Sequence, residues 1–163
     1  MVWNIDTADL VRILAIFIGT IGFSITMYLP KKYLLLVSSI GTLSWILYLL
    51  CSHFASSFYS NLFAAAFCSV SVHAAASKIN TPVTVLLLPA AVPMFPGGSL
   101  YYTMFYGLSG EYQLMKHYAF STFSTIFALA IGFSVISLLY RDTVRKTEMI
   151  GKTVIQHIHL KKP

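Results

Sequence analysis

Between Tyr33 and Ser77 the chain carries no Lys, Arg, Asp or Glu, and the same holds from Ile79 to Gly110 and from His117 to Tyr140. A helix that crosses the hydrocarbon core of a bilayer needs about 20 predominantly apolar residues. An ion placed at its centre costs several kcal/mol, so uncharged runs of this length are what a membrane demands. A soluble domain would need a charged skin. With 57% of residues hydrophobic and only 10% charged, there is too little charge to make one. Membrane β-strands would show short segments of alternating polarity, whereas these runs are continuous. The fold class is therefore an all-α integral membrane protein.

Five transmembrane helices are predicted, at residues 10–29, 33–50, 58–77, 83–108 and 118–139. They form one transmembrane domain over 1–140, followed by a basic tail over 141–163. Cytoplasmic loops carry an excess of Lys and Arg. With the N-terminus outside, the cytoplasmic set is Lys31, Lys32, Lys78, Arg141, Arg145, Lys146, Lys152, Lys161 and Lys162, against Arg12 and Lys116 outside. An even number of spans would strand the basic tail on the outer side, so an odd count is expected. The aromatic residues agree. Tyr28, Tyr33 and Tyr140 fall at the inner boundary, and Trp3, Tyr48, Tyr59, Tyr106, Tyr112 and Tyr118 near the outer one.

The formal charge of +6 is thus a topology signal, and no nucleic-acid partner is expected. Asp6 and Asp9 precede the first span where a signal peptide would be cationic, so that span reads as a retained helix. Cys51 and Cys68 lie in apolar surroundings and read as small packing residues. The tail mixes Lys and Arg with Val154, Ile155, Ile158 and Leu160, which suits either a short helix on the inner leaflet or a flexible segment.

The fourth span contains the most informative stretch, Pro89-Ala90-Ala91-Val92-Pro93-Met94-Phe95-Pro96-Gly97-Gly98-Ser99. Counted from an inner boundary near Val83 at about 1.5 Å per residue, Pro93 to Gly98 arrive near the bilayer midplane. Proline removes a donor and clashes with the preceding turn, and paired glycines loosen the backbone further. Two half-helices joined by an unwound segment are expected, with Ser99 as N-cap of the second. The positive end of that half-helix would face the midplane and suit a carboxylate or another anion. Secondary transporters build substrate sites in this way. A structural kink packed against neighbouring helices is the alternative.

His73 is the one ionisable side chain well inside a span. Asn61, Ala65, Ser69, His73 and Ser77 recur every four residues and share one helix face. Such a stripe suits a tight helix contact with hydrogen bonds across it. Proton coupling by His73 is the sharper reading. In the fifth span Ser121, Thr122, Ser124 and Thr125 precede Ala128 and Gly132, a small-residue spacing that again reads as packing or as the wall of a polar path. Asp9 and Arg12 are spaced to pair on the first helix. His157 and His159 are too few for a metal site. No nucleophile with its base, metal cluster or phosphate loop is present in the sequence, so neither an enzyme nor a cofactor is expected.

Val92-Pro93-Met94-Phe95-Pro96-Gly97 followed by Tyr101 resembles the proline-glycine signature of the threonine/serine exporter family. Pro82-Val83-Thr84-Val85 with Leu88-Pro89-Ala90 resembles its lead-in. Gly22-Phe23-Ser24 through Leu29-Pro30-Lys31-Lys32, then Gly41-Thr42-Leu43-Ser44-Trp45, is similar to the two preceding helices. The resemblance covers residues 22–108, with weaker agreement in the last span. It implies the smaller, C-terminal half of an exporter divided between two chains, a second membrane subunit as partner, and efflux of threonine and serine across a bacterial plasma membrane. Relatives of the divided form linked to dicarboxylates such as succinate leave the substrate open. In the exporter reading Pro93, Pro96, Gly97, Gly98 and Ser99 would form the broken-helix substrate site, Tyr101 would support it, and His73 would serve proton coupling or packing. A non-transporting scaffold subunit, a channel and a homo-oligomer are the rival readings.

Overall fold

The computed structural model describes the backbone of residues 7–160 and the side chains of residues 10–141. Six α-helices follow in order: α1 (Thr7–Thr26), α2 (Lys31–Ser52), α3 (Ser57–Ile79), α4 (Val83–Ala91), α5 (Gly97–Leu108) and α6 (Tyr112–Leu160), with a single 3₁₀ turn at Val92–Met94 between α4 and α5. Among the described residues there is no strand.

The two turns that carry the lysines share one design. α1 ends with Tyr28 in the left-handed region (φ 56°), and α3 ends with Asn80 at φ 51°. In each, the next N–H reaches five residues back, Leu29 to the Ser24 carbonyl at 3.0 Å and Thr81 to that of Ala76 at 3.2 Å. This is the Schellman arrangement, which satisfies carbonyls that a helix end would leave bare. A proline follows both times. Pro30 and Pro82 stand as N-caps of α2 and α4 with nearly identical dihedrals, φ −55°, ψ 133° and φ −56°, ψ 133°.

Small side chains face inward and large apolar ones outward. Ala64, Ala65, Cys68, Ser69, Val72 and Ala76 of α3 are buried, while Phe63, Phe67, Phe120, Phe123, Phe127 and Leu138 are exposed. This inverts the soluble pattern, as expected where the solvent is lipid and helices associate by close backbone approach. A β-carbon on Gly132 of α6 would stand 2.7 Å from the Ala65 β-carbon and 3.0 Å from the Leu62 carbonyl oxygen. α2 packs against α1, α3 and α4, and α6 bridges α3 and α5.

α2, α3 and Tyr112–Arg141 of α6 are each long and apolar enough to cross a membrane, and α4 with α5 forms one further bent pair. The described apolar part of α1, Leu10–Thr26, is shorter. The bend between Val83–Met94 and Gly97–Leu108 is 57°. Two 12-residue segments at that angle advance about 32 Å along their common direction, close to the ~30 Å hydrocarbon core. A re-entrant loop would have to reverse direction, and this pair continues forward. By length and direction the pair fits one broken span.

Some boundaries differ from the sequence expectation. α1 stops at Thr26, because Tyr28 turns left-handed. α6 begins at Tyr112 and runs without interruption for 49 residues to Leu160, so the basic tail is a direct continuation of the last helix. The side chains of Asp9, His157 and His159 lie outside the described residues, as does Trp3.

Candidate functional site: the broken fourth span

Pro89 sits inside α4 without ending it. The helix tightens into the 3₁₀ turn at Val92–Met94, closed by the Phe95 N–H on the Val92 carbonyl at 3.2 Å. Phe95 is then extended (φ −68°, ψ 137°). Pro96 (φ −78°, ψ 52°) makes an inverse γ-turn, the Gly97 N–H donating to the Phe95 carbonyl at 2.8 Å. The interruption is therefore two residues long, Phe95 and Pro96. Gly97 and Gly98 already belong to the first turn of α5, whose first internal bond runs from the Leu100 N–H to the Pro96 carbonyl at 3.0 Å.

The expectation for Ser99 is corrected here. Pro96 is the N-cap of α5, there is no side-chain cap, and Ser99 lies within the helix. Pro96 takes that place because its fixed φ closes the γ-turn that launches the helix. With no capping side chain, the Gly98 and Ser99 N–H groups have no acceptor among the described residues. β-Carbons added at Gly97 and Gly98 would meet nothing within 4 Å, so this helix start faces open space.

The two halves of the span are held differently. Leu86, Pro89, Ala90 and Met94 are buried, whereas α5 has no buried residue. Pro93 lies half-buried at the α2 contact, where a β-carbon on Gly41 would be 3.5 Å from its Cγ. α5 leans chiefly on α6 through stacked tyrosines. The Tyr118 ring is 5.2 Å from that of Tyr102 and 5.5 Å from that of Tyr106. Tyr101 is 62% exposed and its ring contacts are Tyr102 and Phe105, within its own helix.

His73 belongs to a different place, the contact of α3 with α6. Its Nδ1 lies 2.8 Å from the Ser69 carbonyl oxygen. A carbonyl only accepts, so in the neutral ring Nδ1 carries the proton and Nε2 the lone pair. The ring lies 4.8 Å from that of Tyr140, whose hydroxyl bonds to Ser77 Oγ. Most other hydroxyls and the Asn61 amide bond back to a carbonyl one turn earlier in their own helix, as Asn61 Nδ2 does to Ser57 at 2.8 Å and Thr122 Oγ1 to Tyr118 at 2.8 Å. The expected bonding across the stripe is thus confined to Ser77 with Tyr140. The rest of that contact is close packing of small groups.

Sequence reading missed a feature of α2. Ser38 Oγ and Trp45 Nε1 are buried without a hydrogen-bond partner. A buried donor left unsatisfied costs about 1–3 kcal/mol, and such groups are rare enough in folded chains to call for a reason. Burial by the neighbouring helices, which the sequence does not display, is what makes them visible.

The chain is a multi-pass helical membrane protein with a helix pair broken between an anchored half and an open half. Discontinuous helices of this kind carry the substrate sites of many secondary transporters. The chain belongs to the family described as threonine/serine exporter, ThrE, whose model matches residues 12–139. The match takes in α1 from Arg12 onward, α2 to α5 with the break included, and the apolar part of α6 to Leu139. This is a family of membrane exporters, not of enzymes. No curated protein and no solved structure matches the chain.

Proposed function

We propose that this chain is one subunit of a secondary exporter of threonine and serine, that it crosses the bacterial plasma membrane five times with its N-terminus outside, and that it works with a second membrane subunit. The observation that carries the reading is the start of α5. Its amides are unpaired, at the depth where the span breaks. Hydrocarbon satisfies no N–H group, so such a backbone is stable only against protein or a water-filled cavity. The carboxylate of an amino acid is a fitting occupant for free amides at the positive end of a helix. Pro93 and Pro96 set the break, Gly97 and Gly98 leave room for the solute to approach the backbone, and Ser99 adds a hydroxyl on the first turn.

Alternating access needs one part to move against another. α4 is anchored in the α1–α2–α3 core, and α5 travels with α6. Phe95 and Pro96 are the hinge between them. The second subunit covers the open side of α5 and completes the cavity.

Efflux of labelled threonine from exporter-deficient cells tests this, with the chain alone, its partner alone, and both expressed. Efflux with both and not with either alone supports the two-subunit exporter. No efflux in any combination, with both proteins confirmed in the membrane, removes threonine as the solute.

A further inference from the structure

We infer that Trp45 is a specificity-determining residue of the transport site: its indole N–H donates a hydrogen bond to the side-chain hydroxyl oxygen of the solute held at the helix break. This rests on the exporter reading above and adds to it the group that tells a hydroxy-amino acid from its apolar isostere.

The first support is the unpaired donor. Trp45 Nε1 is fully buried and has no acceptor among the described residues. The solute therefore reaches it only when α5 swings about the Phe95–Pro96 hinge and uncovers the contact of α2 with the 3₁₀ turn. The hydroxyls of Ser39, Thr42 and Ser44 on the same helix all bond back to carbonyls at 2.7 to 2.8 Å. An indole N–H has no such local escape, and it can only donate. If the ring served packing alone, Phe would fill the position without burying a polar atom.

Position is the second support. Gly41 is pressed against the break, its missing β-carbon 2.8 Å from the Ala90 carbonyl oxygen and 3.5 Å from Pro93 Cγ. Trp45 follows Gly41 by four residues and therefore shares its face, one turn farther on. α2 and α4 are each joined to α3 by a short connection, so they run in the same direction. One turn beyond Ala90 is Met94, the last residue before the chain leaves helical geometry, and α2 does pack against this 3₁₀ turn. The Tyr48 ring packs 5.1 Å from the indole, tilted by 35°. Ser38, the other buried orphan, lies one turn to the opposite side of Gly41.

Chemistry selects the acceptor. The carboxylate is matched by the α5 amides, and the α-ammonium group cannot accept. The remaining oxygen of threonine or serine is the hydroxyl. A buried donor that loses its acceptor penalises the analogue lacking it, and this discriminates where shape cannot, since valine and threonine are nearly isosteric.

Trp45→Phe keeps the ring and removes the N–H. In cells carrying the subunit combination that exports threonine, labelled threonine and labelled valine are compared for the wild type and this variant at equal membrane abundance. The expected result is a fall in the threonine-to-valine ratio of about tenfold, with valine efflux unchanged. A second readout is independent of flux. Trp3 and Trp45 are the two tryptophans of this chain, so the difference in emission between purified complexes carrying Trp3→Phe and Trp3→Phe with Trp45→Phe reports Trp45, and it should shift with threonine and not with valine. An unchanged ratio overturns the inference, as does an equal fall for both solutes, which would make Trp45 a packing residue. Wild-type efflux of threonine without preference over valine also overturns it and leaves the exporter reading standing. No threonine efflux by the wild type, and no emission shift, removes both.

Discussion

A β-carbon on Gly41 would stand 2.8 Å from the carbonyl oxygen of Ala90, so α2 and α4 meet backbone to backbone at the level where the fourth span begins to fail. Two effects oppose each other when Gly41 becomes Ala. Helix propensity favours alanine by about 1 kcal/mol. The clash is with a main-chain atom that no rotamer change can move, and overpacking of this kind costs about 1–3 kcal/mol. The clash wins. Gly41→Ala should lower the thermal unfolding midpoint of the purified protein and reduce efflux. Gly22→Ala, where the added methyl meets nothing within 4 Å, should not.

Tyr28 is held at φ 56° and is 95% exposed. A left-handed backbone costs an ordinary L-residue roughly 1–2 kcal/mol, and asparagine much less. Asn80 already occupies the equivalent place in the second turn of this design. Tyr28→Asn is therefore expected to raise stability in detergent by about 1 kcal/mol. In lipid vesicles the gain should be smaller, because a tyrosine at the headgroup level is also an interfacial anchor. Thermal unfolding in the two settings separates the contributions.

The uncharged runs made the helices legible, since nothing but an apolar helix satisfies a lipid-embedded backbone. The broken span was legible too, from Pro93, Pro96, Gly97 and Gly98. Its exact seat was not. Pro89 looks as disruptive as Pro96 on paper, yet α4 absorbs it and the chain leaves helical geometry only at Phe95. Ser99 carries the chemistry of an N-cap, but the φ of Pro96 fixes the helix start three residues earlier. The stripe through Ala65, Ser69 and His73 is buried, with Ala65 against Gly132 of α6. Its hydrogen bonds fall mostly within α3 and not across the contact as expected, because serine and asparagine in a helix find the carbonyl one turn back before they find a neighbouring helix. Trp45 was invisible as a donor without a partner, since that property depends on how the neighbouring helices pack around α2.

Gly97 offers a test of the site that does not confuse function with folding. Its added side chain would meet open space, and in the first turn of α5 a leucine is a better helix former than glycine. Gly97→Leu should therefore insert at normal abundance, bind its partner and unfold at an unchanged or higher temperature. Its efflux should fall at least tenfold, because the side chain occupies the space through which a solute reaches the Gly98 and Ser99 amides. Loss of partner binding ahead of any loss of efflux would instead make the break an assembly surface.

His73 is engaged on three sides: Nδ1 on the Ser69 carbonyl, the ring on Tyr140, and its own carbonyl accepting from Ser77 Oγ at 3.0 Å. Tyr140 in turn bonds to Ser77, so the three residues fasten the end of α3 to α6, the helix that carries α5. A fastening role and a proton-carrying role differ in what a ring without nitrogens can replace. His73→Phe keeps the contact with Tyr140 and loses one hydrogen bond, which should cost about 1 kcal/mol of stability. Efflux should survive in large part, and its dependence on the pH difference across the membrane should be the same as in the wild type. Tyr140→Phe, which removes the link to Ser77 and leaves the imidazole untouched, should behave alike. If His73→Phe alone makes efflux indifferent to the pH gradient while Tyr140→Phe does not, the imidazole carries the coupled proton and the fastening is secondary.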